Sequence, residues 1–355
     1  MSTILGIEST CDETAAAIVV DGFDVKSNVV ATQDQLHAKY RGVVPEIASR
    51  AHIENIIPVI REAVEQAGLA GGMADVDAIA VAHRPGLIGS LLIGVTAAKT
   101  LAWALGKPLI GVDHVHAHLY SVKLENNVEP VFPAVGLVCS GGHTAMYAVR
   151  DWLDVELIGS TIDDAVGEAY DKVAAILGLG YPGGPVVDRL AALGDPKAVR
   201  FPRTTLGKDS LDFSFSGLKT AVLYHVRGVP RRGENFKANA AKTPVAAGQV
   251  NDIAAGFQGA CVDVIFEKLK RAVRVTEART IIVGGGVSAN GGLRARLARF
   301  PLPVRFPAMR FCTDNAAMSA GLGFVHFRAG QTSALDMDAI TYSRFARETK
   351  RRPAS

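Results

Sequence analysis

Two histidines four residues apart carry the clearest chemical signal in the sequence. His114 and His118 lie in the stretch Gly-Val-Asp-His-Val-His-Ala-His-Leu, residues 111–119. On a helix both side chains share one face, where two imidazoles can bind one metal ion, whereas His116 points away from both. A metal site needs a third protein ligand and an open position, so we expect a carboxylate from elsewhere in the chain. The alternative is that these histidines cap a helix or satisfy buried polar groups.

Two short turns have the composition of ligand-binding loops. The first, residues 8–14, is rich in hydroxyls and acids, among them Asp12 and Glu13, and joins strands expected at residues 4–7 and 15–20. The second is Ser-Gly-Gly at residues 140–142, whose backbone amides can approach a phosphate closely because glycine has no side chain.

The two turns and their flanking strands form an internal repeat. Shifting the chain by 130 residues aligns them without a gap and matches Gly6 with Gly136, and Thr14 with Thr144. This self-similarity predicts two similarly built lobes, each opening with a strand, a polar turn and a strand.

A helix expected over residues 163–177 has one apolar and one acidic face. Asp164, Gly167, Glu168 and Asp171 share the acidic side. Glycine inside a helix costs about 1 kcal/mol relative to alanine, so Gly167 indicates close approach of a ligand rather than a merely solvated face.

Two further segments place polar groups beside glycine or at helix starts. Gly-Gly-Gly at residues 284–286 follows a buried strand, with a helix beginning near Ser288, which suits an anion or a nucleoside. Asp314 precedes a small-residue helix over residues 316–323, where helix capping is the alternative role.

Composition indicates a globular protein of ordinary charge. The 355 residues are 48% hydrophobic and 21% charged, enough for a sizeable core and two domains, and the net charge of +3 does not by itself indicate a nucleic-acid binder. The four cysteines form no CxxC pair, which favours a reducing cytosol. No leader is recognised, and the most apolar run, residues 87–98, is expected to be too short to span a bilayer.

Taken together, the motifs resemble one family, the bacterial tRNA N6-adenosine threonylcarbamoyltransferases. The resemblance runs from residue 4 to about residue 344. It rests on Gly-Ile-Glu-Ser-Thr-Cys-Asp-Glu-Thr, residues 37–50, the histidine pair, Ser-Gly-Gly-His-Thr, residues 162–172, Tyr-Pro-Gly-Gly-Pro, Asp-Phe-Ser-Phe-Ser-Gly-Leu-Lys-Thr, Gly-Gly-Val-Ser-Ala-Asn and Cys-Thr-Asp-Asn. It implies an α/β, two-lobed fold like that of actin, hexokinase and the heat-shock ATPases, built from duplicated ribonuclease-H-like domains. The first lobe would comprise residues 1–125 completed by 315–345. The second would comprise 130–312 with a mobile basic insertion at 226–248, and a basic tail would follow at 346–355.

The resemblance also implies the site residues. His114, His118 and Asp314 would bind one divalent metal ion, iron or alternatively zinc, with water or substrate as the fourth ligand. Asp12 and Glu13 would be the acids required for activity. The adenylate substrate would be held by Val138, Cys139, Ser140, Gly141, Gly142, Asp171, Gly184, Asp188 and Asn290.

The implied reaction transfers L-threonylcarbamoyl from threonylcarbamoyl-adenylate to N6 of the adenosine 3′ of the anticodon in tRNAs that read codons beginning with A. The implied partners are tRNA, a paralogous dimerising subunit, an ATPase subunit and a separate synthase that makes the adenylate, all in the cytoplasm and without a membrane. Arg84 departs from the family pattern, which commonly has glycine before Pro-Gly.

Two other functions are compatible with parts of the sequence. A metal- and nucleotide-binding scaffold or ATPase subunit would suit the same fold. A metallopeptidase would suit the paired histidines, but that class needs glutamate directly after the first histidine, where this chain has Val115.

Overall fold

The molecule is built on two β-sheets with the same strand topology. The computed structural model describes residues 1–40, 42–229 and 246–343. The first sheet contains β1 (Thr3–Glu8), β2 (Glu13–Val20), β3 (Asp24–Thr32), β4 (Ala78–Arg84) and β5 (Leu109–Asp113), and the second contains β6 (Ala134–Cys139), β7 (Thr144–Val149), β8 (Val155–Ser160), β9 (Thr280–Gly284) and β10 (Val304–Arg305). Their orders are β3-β2-β1-β4-β5 and β10-β9-β6-β7-β8.

The pairing senses of the two sheets correspond strand by strand. In the first sheet β1 is antiparallel to β2 and parallel to β4, and in the second β6 is antiparallel to β7 and parallel to β9. The predicted duplication is therefore confirmed, because strands aligned by the sequence repeat occupy equivalent positions. Most of the expected insertion, residues 230–245, and the expected tail, residues 346–355, lie outside the described residues.

Ten α-helices are found among the described residues. They are α1 (Asp34–Ala38), α2 (Pro45–Gln66), α3 (Ile88–Leu105), α4 (His114–Tyr120), α5 (Val166–Ile176), α6 (Gly183–Ala191), α7 (Ser216–Arg227), α8 (Ala247–Thr276), α9 (Gly291–Leu297) and α10 (Ala316–Arg328). Two expected starts are wrong. The helix expected from residue 163 begins at Val166, and the helix expected near Ser288 begins at Gly291, after a short 3-10 turn.

Helix α3 is longer than the apolar run in the sequence suggests. The helix continues through Lys99 to Leu105, and among the described residues it alone is long and apolar enough to cross a membrane by length and composition. The expectation that this segment is too short is therefore wrong. Val95, Ala98 and Ala102 are buried in the core that also contains residues of β1 and β4, so one face of the helix serves internal packing.

Two helices fill the space between the sheets. Helix α10 packs against β1, β2 and β4 of the first sheet, whereas α4 packs against β6 and β9 of the second and also against α10. Glycine in each central strand permits this approach. A Cβ on Gly6 would overlap the carbonyl oxygen of Ala316, and one on Gly136 would lie 2.8 Å from a methyl carbon of Leu119. The contact of α10 with the first sheet supports the proposed completion of the first lobe by the C-terminal segment, although the lobe boundaries stay a prediction.

Candidate metal and nucleotide site

The paired histidines lie at the start of α4, directly after β5. Asp113 caps this helix, because its Oδ1 accepts hydrogen bonds from the amides of Val115 and His116 at 3.1 and 3.2 Å. The rings of His114 and His118 then lie side by side in an edge-to-face arrangement with centroids 4.7 Å apart, as their helical spacing predicts.

Asp314 completes a group of possible metal ligands. Its Oδ1 lies 3.0 Å from Nε2 of His118 and 3.6 Å from Nε2 of His114. The three donor atoms all lie within 4.8 Å of one another. The structure therefore brings together the histidines from α4 and the carboxylate that precedes α10.

Helix capping, the alternative role considered for Asp314, is performed at the start of α10 by its neighbour Asn315. The Oδ1 atom of Asn315 accepts from the amide of Met318 at 3.1 Å, and its Nδ2 donates to the carbonyl of Thr313 at 2.8 Å. Burial disfavours the charged form of Asp314, yet the neighbouring His114 imidazole and the hydrogen bond with His118 hold the pKa of this carboxyl well below its usual range. Asp314 thus stays an anion facing the imidazoles.

The donor set fits a transition metal. Two imidazole nitrogens and one carboxylate oxygen are ligands used for both zinc and non-haem iron(II), and both histidines are buried. The Nδ1 atom of His118 is buried without a hydrogen-bond partner in the described part of the chain, while its Nε2 points at Asp314. The orientation presents Nε2 as the ligand atom.

Glu8 contacts a candidate metal ligand, and the sequence did not identify it as a candidate site residue. It is fully buried at the end of β1, and its Oε2 lies 3.1 Å from Nδ1 of His114 and accepts from Ser319 Oγ at 3.2 Å. A carboxylate on the far nitrogen of a ligating histidine fixes the ring orientation and the tautomer. Glu8 therefore leaves the Nε2 lone pair of His114 free to face a metal. The available signal was a carboxylate at the end of a buried strand.

Two carboxylates at the tip of the first hairpin lie close to a third at the start of α1. Oxygen atoms of Asp12, Glu13 and Asp34 lie within 4.8 Å of one another, and Asp34 was not singled out in the sequence. Burial, followed by the negative charges of Asp314 and Asp12, raises the pKa of Glu13 well above its ordinary value. Such a carboxylate binds a proton more readily than a solvated one.

The second turn lies at the end of β6. Val138 and Cys139 are buried strand residues, and burial raises the pKa of the Cys139 thiol. The hydroxyl of Ser140 accepts from the amide of His143 at 3.0 Å, and the Cα positions of Gly141 and Gly142 face open space. The turn is therefore fixed at its base and open at its glycines.

Gly167 has a different role from the one expected. A Cβ at this position would lie 2.5 Å from the carbonyl oxygen of Ser140 and 2.9 Å from Cα of Gly141. The Gly167 amide also donates to that carbonyl at 3.2 Å. The close approach is thus made by the Ser140 turn of the protein itself, and the expectation of direct ligand approach at Gly167 is corrected.

The other expected substrate residues meet around α6 and α9. Asp171 Oδ1 accepts from the Gly183 amide at 2.7 Å, beside Gly184, and Asp188 Oδ2 accepts from the Gly291 amide at 2.8 Å. Asp171, Gly184 and Asp188 therefore belong to one region with the start of α9.

Asn290 is tied to residues that sequence reasoning did not identify. Its Oδ1 caps α9 by accepting from the Leu293 amide, and its Nδ2 donates to Gln258 Oε1 at 2.8 Å. The hydroxyl of Tyr170 donates to the same Gln258 oxygen at 3.2 Å. Only the three-dimensional arrangement reveals Gln258, since nothing in its local sequence marks it.

His143 is another residue that the sequence reasoning passed over. Burial, together with the charges of His114 and His118 and against the opposing effect of Asp314, lowers its pKa to about 4. The Ser-Gly-Gly-His turn is therefore electrostatically close to the metal ligands.

The fold and the site define a class: two-lobed α/β proteins like actin, hexokinase and the heat-shock ATPases, with a possible metal site between the sheets. Among solved structures, component A of (R)-2-hydroxyglutaryl-CoA dehydratase from Acidaminococcus fermentans is similar, with a TM-score of 0.51 and 14% identity over 92% of this chain and 98% of that one. HypF of T. kodakarensis has a TM-score of 0.56 and 15% identity over 93% of this chain and 48% of that one. These likenesses concern the fold alone.

The family model for tRNA N6-adenosine threonylcarbamoyltransferase matches residues 24–321. The chain belongs to this family. Relatives of that name include one from Treponema denticola, 48% identical over 95% of this chain and 96% of its own, and one from Symbiobacterium thermophilum, 50% identical over 95% of each.

Proposed function

We propose that this protein transfers L-threonylcarbamoyl from threonylcarbamoyl-adenylate to N6 of the adenosine 3′ of the anticodon, in tRNAs that read codons beginning with A. Membership of the transferase family, with about half of all residues identical over nearly the full length, is the observation that carries this proposal. The adjacent metal ligands and Ser140 turn support it. AMP is the second product.

We assign His114, His118 and Asp314 as the protein ligands of one divalent ion, iron with zinc as the alternative. When bound, such an ion supplies a Lewis acid beside the reacting carbonyl. The residues of the chain hold this position rigidly, because Glu8 orients His114 and Asn315 takes over the capping of α10.

The Ser140 turn and the region around α6 and α9 are proposed to hold the adenylate. We propose that the amides of Gly141 and Gly142 bind the phosphate. The remainder of the adenylate site is proposed to be lined by Val138, Cys139, Asp171, Gly184, Asp188 and Asn290. In this position the mixed anhydride needs only orientation, since its carbonyl carbon is already activated.

Glu13 is proposed as the base, with Asp12 as the alternative. A bond forms between adenosine N6 and the carbamoyl carbon, the bond from that carbon to the phosphate oxygen breaks, and AMP leaves. The proton from N6 passes to the Glu13 carboxylate, which suits this task because its pKa is raised by burial and by neighbouring acids.

A paralogous subunit is proposed to dock on the outer face of α2 and α3. Ile53 and Ile57 of α2 and Ile88 and Leu92 of α3 are large apolar side chains about half exposed, at 60, 55, 48 and 47%. The two helices touch where a Cβ on Gly89 would overlap the hydroxyl of Ser49. A cluster of exposed apolar side chains on adjacent helices is typical of an interface.

The remaining proposed partners are tRNA, an ATPase subunit and a separate synthase that makes the adenylate. The proposed site of action is the cytoplasm. A rival function, a metal- and nucleotide-binding scaffold or ATPase, shares the fold and makes a different product, inorganic phosphate.

Product analysis tests the proposal. The purified protein, with and without the partner subunits, is incubated with threonylcarbamoyl-adenylate and unmodified tRNA, and the digested tRNA is examined by mass spectrometry. We expect threonylcarbamoyladenosine that is lost on chelation and in Asp314→Ala. Absence of this nucleoside with all partners present, together with release of phosphate from ATP by the protein alone, would favour the rival.

A further inference from the structure

His52 is a fully buried histidine of α2 whose two ring nitrogens both contact the first hairpin tip. Its Nδ1 lies 2.7 Å from Thr14 Oγ1, and its Nε2 lies 3.1 Å from the carbonyl oxygen of Cys11. These two contacts bracket Asp12 and Glu13 in the chain.

The contacts define the tautomer of His52. A carbonyl oxygen only accepts, so Nε2 carries the proton and donates to Cys11. Burial lowers the pKa of His52 against the opposing effects of its hydrogen bond to Cys11 and nearby acids, which keeps the ring neutral. The Nδ1 atom then accepts from the Thr14 hydroxyl.

Helix α3 contacts the same tip from a second side. Ser90 Oγ donates to the Cys11 carbonyl at 3.2 Å, and Ser9 Oγ donates to the Ser90 carbonyl at 2.9 Å. The Leu87 amide donates to the Thr10 carbonyl at 2.9 Å. The tip is therefore attached to both helices by side chains and backbone.

The acids at the tip explain why such attachment is needed. One oxygen of each of Asp12 and Glu13 at the tip and of Asp34 at the start of α1 lies within 4.8 Å of the others, and repulsion between those that are ionised favours opening of the turn. Hydrogen bonds from neutral groups hold the backbone without adding a positive charge that would lower the pKa of Glu13.

We propose that His52 is a positioning residue for the transfer reaction: its bridge from Cys11 to Thr14 holds Asp12 and Glu13 at the geometry they need. The inference rests on the proposed function, in which one of these acids takes the N6 proton. Because His52 lies behind the tip and contacts backbone and Thr14, its effect is on the turnover step and not on substrate affinity.

The kinetic test compares two amide substitutions. His52→Asn keeps a polar group near the Nδ1 position but does not reach Cys11, whereas His52→Gln places an amide donor near the Nε2 position. In the complete complex we expect kcat of His52→Asn to fall by about 100-fold, as for a misplaced catalytic group, with KM for the adenylate nearly unchanged. We expect His52→Gln to recover most of kcat.

A double-mutant cycle separates positioning from general loss of structure. If His52 acts through Glu13, His52→Asn causes no further loss in a Glu13→Gln background. An equal loss in both backgrounds, or wild-type kcat in His52→Asn, would overturn the proposal.

A chemical measurement tests the same proposal without using activity. Cys11 is partly exposed at the tip, whereas Cys139, Cys261 and Cys312 are buried. We expect iodoacetamide to alkylate Cys11 about tenfold faster in His52→Asn than in the wild type, because the tip opens locally. An unchanged Cys11 rate would overturn the positioning role, whereas wild-type protein that makes no modified nucleoside would overturn the proposed function alone.

Discussion

The residues that carry the chemistry differ in how far their partners lie along the chain. His114 and His118 were predictable because both belong to one helical turn. Glu8 contacts His114 across 106 residues of sequence, and no local pattern encodes that contact. Asp314 came from family resemblance, since its own neighbourhood predicted only a helix cap. Local spacing thus predicted the pair of histidines, whereas the contact of Glu8 with His114 is visible only in the tertiary structure.

Removal of one metal ligand should uncouple transfer from substrate binding. We expect His114→Ala to lose stoichiometric metal and transfer activity while adenylate binding survives in part, because the Ser140 turn is untouched. Metal content by mass spectrometry and adenylate affinity by calorimetry check this. The exposed His225→Ala serves as the control, and full activity in metal-free His114→Ala would contradict the metal assignment.

Loss of the negative charge on Glu8 should weaken the site without removing a ligand. We expect Glu8→Gln to lower metal affinity by about 10–100-fold, as is typical for partners of ligating histidines. Competition with a chelator at several concentrations measures this. Affinity equal to the wild type would mean that the contact at 3.1 Å does not orient His114.

Element boundaries were less predictable than the elements themselves. The strands expected at residues 4–7 and 15–20 are found as β1 and β2, but the start of α5 depends on Thr144, whose Oγ1 accepts from the Val166 amide at 2.8 Å. That residue lies on β7. Sequence patterns near residue 163 could not show this, so the helix was expected to begin too early.

A side chain at Gly167 should disturb the Ser140 turn. We expect Gly167→Ala to weaken adenylate affinity by about 100-fold, since its Cβ would lie 2.5 Å from the Ser140 carbonyl and an added methyl cannot be accommodated without moving the turn. Calorimetric titration measures the affinity. Gly217→Ala, in α7 with open space around the new Cβ, is the matched control and should keep wild-type affinity.

The hydrogen bonds between Asp163 and the start of α7 should make the free energy of unfolding depend on pH. Asp163 accepts hydrogen bonds from the Phe215 amide and from Ser214 and Ser216; although burial opposes ionisation, these bonds lower its pKa below the ordinary 3.8. A lowered carboxyl pKa contributes stability that is present above about pH 4 and is lost as the pH falls further. We expect Asp163→Asn to reduce the free energy of unfolding by about 1 kcal/mol at pH 7. Denaturant unfolding at pH 7 and pH 3 should show the difference shrinking at the lower pH.

At the scale of the whole molecule, the internal repeat predicted the duplicated architecture. Gly6 and Gly136 matched in sequence and occupy equivalent central strands. The packing of α4 against the second sheet was not predicted, because its apolar residues give no indication of which sheet they will cover, whereas the return of the C-terminal segment to the first lobe was expected from the family resemblance. Long-range packing decides that choice.

Charges on the apolar outer face should prevent association with the paralogous subunit. We expect Ile53→Asp combined with Ile57→Asp to abolish the complex while metal content stays normal, since both side chains are exposed and neither belongs to the group of candidate metal ligands. Light scattering of the mixed subunits measures the complex. Leu193→Asp, which places the same charge at an exposed apolar residue outside α2 and α3, is the control. An intact complex in the double variant would contradict the proposal that the paralogous subunit docks on this face.

The packing of α10 against β1 also bears on how the chain is made. The inner face of the first sheet, whose first strands lie near the N-terminus, is covered only once α10, which ends at Arg328, has been synthesised. A nascent chain emerging from the ribosome exposes that face until synthesis is almost complete, and contacts so distant in sequence form slowly. Asp314 arrives with the same late segment. A chain truncated before it would retain both histidines but lack the third ligand, so full metal occupancy would mark a finished polypeptide.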